Sequence, residues 1–501
     1  MGKPLILGVS ASLRNARRGL GNKSLIEDIK QSKSEDELMS FLKQEAEVHL
    51  KNFQDSGRTE SLPFDKMYSN LKKLKGNKGL SNSEVALTSA LWSAHSLGCD
   101  IDHISLSEYY SESGVQNETE ILQKLKDADG IIISTPVYFG DRSSLGQTLI
   151  ETIRKNPEWK AAVKGKIYAG LAVGAKRNGG QETTLIYQIL DMLNVDMLCV
   201  GNDSETTSQY GGTGLAGDVG TMPSDDYGLA TTMGTGRRIS RVAQALKMGE
   251  DYKLRGKLKL QFWVLQDSKG YAVEKIQKLI SGKDIEAEIV DLTTKTIHRC
   301  LACDICPTHV STDGEYRCII KSKRDDLEDI HPTFLDSDAV IPVIYSKKDA
   351  ASTVSNYQKF LERTRYLRRG DYLLSNTISA PIVLEEVGAH ENMHVRAVTS
   401  MIRHHTVLSK PLIGIVHNND VINWVEIEHG FDDLLHSCER LMKGKLATYS
   451  HDQEHLKYKP IGYVLSAVKD KEDEKLSRRE AMMDERYRRN EDKLATKIEK
   501  K

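Results

Sequence analysis

Gly130-Ile131-Ile132-Ile133-Ser134-Thr135-Pro136-Val137-Tyr138-Phe139-Gly140 decides the fold. The unbroken isoleucine run is apolar on both faces of an extended chain, which marks a strand covered by helices on either side. It then breaks into hydroxyls, a proline and a glycine, the turn chemistry found at the carboxyl edge where open α/β sheets take their ligands. The same punctuation recurs on either side of it. Strands are expected at 4–10, 99–106, 130–135, 166–173 and 196–201, separated by helical patterns at 81–97, 118–128, 144–155, 181–193 and 236–248.

The order then begins again. Strands are expected at 258–265, 286–292, 339–344, 382–387 and 411–417, with helices at 271–280, 353–365, 391–408 and 431–441. The seam falls near Gly249 to Gly256. Two segments stand outside the repeat: Leu25 to Lys75 is polar and helix-prone, and reads as a helical insertion. Lys469 to Lys501 is almost all Lys, Arg, Glu and Asp, and reads as a solvated helix or disordered tail.

Composition narrows the function classes. The chain has 501 residues, too many for one hydrophobic core, and a formal net charge of -1, which offers no bulk attraction to nucleic acid or anionic membrane. The first residues lack the pattern of a signal peptide and no apolar run approaches eighteen residues, so a cytoplasmic protein is expected. In that reducing setting clustered cysteines point to metal or redox chemistry, and the odd total of seven agrees.

Three loops of the first half share one sheet edge. Ser10-Ala11-Ser12-Leu13-Arg14, followed by Gly21-Asn22-Lys23-Ser24, sets hydroxyls, amides and a guanidinium at a strand-to-helix turn, which suits a phosphate monoester. The third strand ends in Thr135 to Gly140, and the fourth in Val173-Gly174-Ala175-Lys176-Arg177-Asn178-Gly179-Gly180-Gln181-Glu182. No ribose-binding acid or G-x-G-x-x-G follows the first loop, so a dinucleotide is not its obvious ligand.

In the second half Cys300-Leu301-Ala302-Cys303-Asp304-Ile305-Cys306, with Cys318 beyond, gives C-x2-C-x2-C spacing and a remote fourth thiolate. A loop of this kind wraps an iron-sulfur cubane. Zinc usually draws its thiolates as two C-x2-C pairs and fits less well, and a thiol cluster without metal is the third reading. His298 and His309 stand near as substitute ligands. His390-Glu391-Asn392-Met393-His394 meets the H-E-x-x-H pattern of zinc proteases, with His404 and His405 as further candidates, but no third ligand is evident. The turn matching the phosphate loop is Leu265-Gln266-Asp267-Ser268-Lys269-Gly270, whose aspartate would repel a phosphate, so no flavin is expected here.

The Ser-x-Ser-x-Arg loop, Thr135 to Gly140, the Gly-Gly-Gln-Glu segment at 179–182 and Tyr210-Gly211-Gly212 with Asp226-Tyr227-Gly228 together resemble the NADPH-dependent FMN reductase family of flavodoxin-like proteins. Within it they resemble the iron-sulfur flavoproteins, whose compact cysteine loop also precedes a paired acid, here Asp325-Asp326. The insertion at 25–75 departs from that pattern, and the Cys306 to Cys318 interval is longer than the family's.

The resemblance implies two tandem flavodoxin-like three-layer α/β/α domains with five-stranded parallel sheets, at 1–250 and 256–468, followed by the charged tail at 469–501. It implies FMN held by Ser10, Ser12, Arg14, Lys23 and Ser24 at the phosphate. Pro136, Val137, Tyr138, Phe139 and Gly140 would line the ribityl chain and ring, and Gly174, Arg177, Gly179, Gly180, Tyr210 and Gly211 would complete the site. Tyr138 and Arg177 would shape the face that meets NADPH or NADH, and Cys300, Cys303, Cys306 and Cys318 would hold a [4Fe-4S] cluster. The implied protein is an oxidoreductase that passes electrons between nicotinamide, FMN and cluster to an unknown acceptor or small-molecule substrate, as a homo-oligomer (dimer or tetramer). The alternatives are a flavodoxin-like scaffold or carrier with a structural metal loop, and a biosynthetic reductase of a small electrophile.

Overall fold

The structure, a computed structural model, describes residues 2–14, 25–55, 62–73, 79–111, 114–206, 208–303, 305–306, 310–321, 324–349, 351–369, 371–451, 454–457 and 472–501. The chain divides into two compact units, Met1–Gln244 and Ala245–Lys501. Among the described residues no helix is long and apolar enough to cross a membrane.

The first unit is built on β1 (Leu5–Ser10), β2 (Asp100–Ser105), β3 (Gly130–Pro136) and β4 (Ile167–Gly174), all parallel, in the spatial order β2-β1-β3-β4. Past β4 lie two short strands, β5 (Leu198–Cys199) and β6 (Gly212–Leu215), pairing with its two halves. Every residue of β4 and all but the last of β3 are buried, as a sheet covered on both faces requires. The covering helices follow the strands: α1 (Leu25–Gln31), α2 (Glu35–Asp55) and α3 (Phe64–Lys73) form the insertion. After them come α4 (Asn82–Ser96), α5 (Glu118–Asp127), α6 (Ser144–Lys155), α7 (Pro157–Val163), α8 (Gln181–Asn194) and α9 (Asp226–Gly249).

The last strand differs from its expected single run at 196–201. The chain leaves the sheet after Cys199 and returns at Gly212, because the detour supplies its own polar ties. Asn202 Nδ2 donates to the carbonyls of Gly211 (3.2 Å) and Thr231 (2.8 Å), and Asp203 pairs with Arg237 (2.7 Å).

The second unit repeats the strand order on its own. The strand β7 (Tyr252–Leu254) precedes the sheet; β8 (Leu258–Gln266) lies between β9 (Ile285–Asp291) and β10 (Ala339–Ser346), followed by β11 (Ile382–Glu386) and β12 (Leu412–His417), all five parallel. Its principal helices are α10 (Tyr271–Ile280), α11 (Ala351–Arg363), α12 (Met393–Met401), α13 (Trp424–Thr448) and α14 (Glu472–Lys497), and the chain ends in β13 (Ile498–Lys500). The expected helix at 391–408 is shorter, starting after Asn392 (φ 49°) and closing at His405 (φ 58°), both left-handed positions that stop an α-helix.

From Glu472 to Lys497 the charged tail is a helix with one face docked and the other solvated. Met482, Met483, Lys475, Arg479 and Lys497 of α14 are buried, and β13 pairs antiparallel with β7. Apolar residues are too few to account for this docking, and paired charges supply it: Lys493 bonds Asp336 (2.5 Å) and Lys497 bonds Asp338 (2.6 Å). A reading by hydrophobic pattern alone cannot see partners that lie far away in sequence.

Candidate functional site

At the carboxyl edge of the first sheet the chain after β1 is held by its own hydroxyls. The backbone N–H of Arg14 donates to Ser12 Oγ (3.2 Å), that of Ala11 to the Ser134 carbonyl (2.8 Å), and Ser143 Oγ donates to the Ala11 carbonyl (2.6 Å). Ser10 and Ser12 are buried, whereas the Arg14 guanidinium lies 5.2 Å from the Phe53 ring centroid of α2. Lys23 and Ser24 lie outside the described residues.

The helix that follows β1 in this fold is α4, reached only after the insertion. Its first turn is a capping box: the Ser81 N–H (3.1 Å) and Ser81 Oγ (2.9 Å) both donate to Glu84 Oε2. Ser134 Oγ donates to the Ser83 carbonyl (2.7 Å), which fixes this turn beside the end of β3. The first turn of α4 therefore lies on the same sheet edge as the Ser10–Arg14 loop, although the insertion separates the two in sequence. Reading along the chain missed Ser81–Ser83. The signal was present as S-x-x-E opening the first long helix.

Glu84 completes this floor. It is buried, and burial pushes its carboxyl up to about 8 against the hydrogen bonds from Ser81 and the nearby Ser10, while Oε1 has no hydrogen-bond partner among the described residues. A neutral acid here places no negative charge beneath this edge at neutral pH.

Two further loops meet over the sheet edge. Tyr138 and Asp141 exchange backbone hydrogen bonds (2.8 and 2.9 Å) around Phe139 (φ 52°) and Gly140 (φ 79°), a tight turn with two left-handed residues. It leaves Phe139 fully exposed and Tyr138 half-exposed. Gly180 (φ 100°) comes so near that a Cβ there would stand 2.8 Å from Gly140 Cα and 3.2 Å from Val137 Cγ1. Gln181 ties the neighbouring loop together: Oε1 accepts from the Gly179 N–H (2.8 Å), and Nε2 donates to the carbonyls of Lys176 (2.8 Å) and Gly214 (3.2 Å). A Cβ on Gly174 would collide with that same amide at 2.7 Å. Arg177 pairs with Asp225, donates to the Thr213 carbonyl (3.1 Å) and lies 5.1 Å from the Tyr227 ring centroid.

Ser10, Ser12, Arg14, Pro136 to Gly140, Gly174, Arg177, Gly179 and Gly180 thus converge on one edge. Tyr210 and Gly211 do not. Gly211 is level with Gly170, four residues back along β4 from Gly174, which is about 13 Å at strand rise. Its missing side chain is explained by packing, since a Cβ would stand 2.2 Å from the Gly170 carbonyl oxygen.

In the second unit the corresponding turn is already filled. Asp267 Oδ1 accepts from the N–H groups of Ser268 (2.5 Å) and Ala272 (2.7 Å), and Oδ2 from that of Val273 (3.4 Å). The start of α10 therefore holds an internal carboxylate where an external anion would sit.

The four clustered thiols occur after β9. Cys318 is buried, Cys300 and Cys306 are half-buried, and Cys303 is exposed. Burial, then the neighbouring Cys318, Cys303 and Cys300, push the Cys306 thiol up to about 11, so all four share one electrostatic neighbourhood. Ala302, left-handed at φ 51°, donates its N–H to Cys300 Sγ (3.4 Å), and Arg365 Nη1 approaches that sulfur at 3.9 Å. Behind them Arg363 and Asp325 form a wholly buried pair (2.6 Å), and Arg363 also donates to the Tyr316 hydroxyl (2.7 Å). Burial alone would raise the Asp325 carboxyl; Arg363 and the His298 and Leu327 N–H groups hold it below its ordinary range. The donor set and the N–H···S bond fit a thiolate-held metal centre, yet among the described residues no three His, Cys, Asp or Glu side chains stand close enough to share an ion. His298 Nε2 is engaged with the Arg324 carbonyl (3.1 Å), and His309 lies outside the described residues.

The H-E-x-x-H reading fails on geometry. Because α12 begins at Met393, His390 is not helical and cannot share a helix face with His394, which lies 3.6 Å from Glu385. His404 is buried, its imidazole pushed down to about 3 by burial and then by Arg368 and Arg403, and His405 stacks on Tyr372 at 3.7 Å.

The sequence pattern of the NADPH-dependent FMN reductase family matches residues 76–209, opening just before the cap of α4. An iron-sulfur flavoprotein of Methanocaldococcus jannaschii is 39% identical over 134 residues, 26% of this chain and 68% of its own. One from Methanosarcina thermophila is 31% identical over 132 residues, 26% of this chain and 65% of its own. An NAD(P)H dehydrogenase (quinone) of Methylocella silvestris is 32% identical over 135 residues, covering 25% and 67%. The matches span about two thirds of the length of these relatives.

Proposed function

The chain belongs to the NADPH-dependent FMN reductase family, and from that we propose that it is an NAD(P)H-dependent oxidoreductase with one FMN site, in the first unit, and one [4Fe-4S] site, in the second. The observation that carries the flavin assignment is the convergence of the Ser10–Arg14 loop, the first turn of α4, the Tyr138 turn and the Gly174–Gln181 loop on one sheet edge. In this reading Ser10, Ser12, Arg14 and the α4 N-terminus hold the phosphate, since unpaired helix N–H groups and a guanidinium both favour an anion. Tyr138, Phe139 and Arg177 border the open face where a nicotinamide would stack, and Asp225 keeps Arg177 in place.

The two units are read as diverged tandem copies, which the repeated strand order within each supports. Asp267 supports one flavin per chain, because the second cradle already contains a carboxylate. The cluster is assigned to Cys300, Cys303, Cys306 and Cys318 on their spacing and shared neighbourhood, and the names of the iron-sulfur relatives agree. Together the two groups would supply conversion between two-electron hydride chemistry and single-electron transfer to an acceptor.

Anaerobic purification followed by flavin, iron and sulfide assays tests the proposal. One FMN with four irons and four sulfides per chain is expected. A colourless chain that takes up no FMN would overturn the flavin assignment, and zinc in place of iron would overturn the cluster.

A further inference from the structure

The interval between Cys306 and Cys318 is anchored from an unexpected direction. Asp313, wholly buried within it, is gripped by two arginines of α14: Arg486 Nε and Nη2 reach its two carboxylate oxygens (2.5 and 3.1 Å), and Arg489 Nη2 reaches one of them (2.6 Å). The Asp313 N–H donates to Glu485 Oε2 on the same helix (2.9 Å), and Arg317 Nη1 contacts Met482 Sδ (3.7 Å). Its carbonyl meets His331 Nε2 (2.9 Å), so both the backbone and the side chain of this residue are fixed. Three residues on, the Tyr316 hydroxyl accepts from Arg363 (2.7 Å) and donates to the Ile320 carbonyl (3.4 Å), which fixes the chain on both sides of the buried Cys318. The segment that carries the fourth cysteine is therefore pinned between α14 and Arg363.

Such a clamp answers a specific difficulty. Cys318 lies twelve positions after Cys306, and a free loop of that length leaves the fourth thiol a wide range of positions. Docking α14 removes that freedom before any metal binds. Arg486 is itself oriented by Asp371 (2.7 Å), and the helix is moored further along by Lys493, Lys497 and the β13–β7 pairing.

We propose that Arg486 and Arg489 of α14 are positioning residues which, through Asp313, hold Cys318 against the Cys300–Cys306 turn, so that metal loading of the second unit depends on the docked helix. The proposal rests on the reading of these four thiols as a metal site.

The test uses the full chain, metal-free and reduced under anaerobic conditions, as the parent, an Arg486→Ala/Arg489→Ala variant and a conservative Arg486→Lys/Arg489→Lys variant that keeps both charges should the first fail to fold. Two quantities are measured: the thiolate-to-cobalt absorption on titration with cobalt(II), and the alkylation rate of each cysteine by iodoacetamide, read by peptide mass spectrometry. In the alanine variant Cys318 should alkylate roughly ten- to a hundred-fold faster, the scale of losing charge-assisted hydrogen bonds, with Cys300 and Cys303 unchanged. Its cobalt absorption should fall to the intensity of a three-thiolate site, and the lysine variant should recover part of both. A general loss of structure would speed every cysteine, Cys99 and Cys438 included, and would overturn a specific positioning role. Unchanged Cys318 alkylation with a parent-like cobalt spectrum overturns the proposal outright. A parent chain with no thiolate-to-cobalt absorption overturns the metal reading and the loading claim with it, while Cys318 alkylation still decides the positioning.

Discussion

Replacing Glu84 by glutamine should make the protein more stable at neutral pH, although the change removes the carboxyl from a hydrogen-bonded capping box. The carboxyl is buried and pushed up to about 8, whereas an unfolded glutamate titrates at 4.5. Between those values the folded chain keeps a proton that the unfolded chain releases, so stability falls as pH rises. The loss begins near pH 4.5 and is complete only above pH 8. Each pH unit in that window costs about 1.4 kcal/mol, so the parent loses about 3 kcal/mol from this group between pH 5 and pH 7. Glutamine cannot ionise and still offers Oε1 to the Ser81 N–H and hydroxyl. Urea unfolding of both proteins at pH 5, 6 and 7 should therefore show near-equality at pH 5 and a widening advantage of the variant, reaching about 3 kcal/mol at pH 7. A parent-minus-variant difference that stays flat across this range would refute the claim that Glu84 is held protonated beside the Ser10 loop.

Arg14→Ala should weaken FMN binding by about 1.5 to 3 kcal/mol in fluorescence titrations, the scale of a charge-assisted hydrogen bond, while Lys269→Ala in the second unit should leave flavin content unchanged. Equal loss in both would contradict a single flavin site. Gly180→Ala forces a side chain into a left-handed position 2.8 Å from Gly140 Cα, and should cost at least about 1 kcal/mol of stability along with weaker flavin binding. A variant matching the parent in thermal melts and titrations would show that the two loops do not need their close approach. Cys303→Ser should abolish iron uptake yet leave FMN and its reduction by NAD(P)H intact in rapid-mixing spectra; unaltered turnover of a one-electron acceptor would exclude the second unit as the electron exit.

The strands were legible because parallel sheets buried on both faces write themselves as apolar runs. The strands that contain Ile131 to Ile133 and Phe262 to Leu265 each end within one residue of the bounds read from sequence. What was hidden depended on distant partners. The pairing of Arg486 with Asp313 spans 173 positions, and nothing in the local pattern of α14 distinguishes a clamping arginine from a solvated one. The anion cradle was half legible for a related reason. Ser10, Ser12 and Arg14 follow their strand directly, but the insertion moves Ser81–Ser83 far from them in sequence, and Lys23 and Ser24 lie outside the described residues. Gly211 misled in the opposite sense. The family resemblance placed it at the flavin, while its neighbour in the structure is the Gly170 carbonyl.

The fate of one turn in each unit explains why the units could specialise. After β1 the chain sets two hydroxyls and a guanidinium, the groups proposed to take an external anion; after β8 an aspartate accepts from three N–H groups that follow it and caps the helix itself. A helix start with its own carboxylate gains stability without a cofactor, since the N-terminal N–H groups are bonded and the dipole is met. Under the proposed assignment the edge of the second unit is complete without flavin, and the cysteines lie in the loop after β9. The corresponding loop of the first unit, Ser107 to Asn117, contains none. In the proposed assignment the filled turn and the cysteine loop thus follow neighbouring strands of the second unit. That is why the division of labour follows from local capping chemistry, with no change in the sheet beneath.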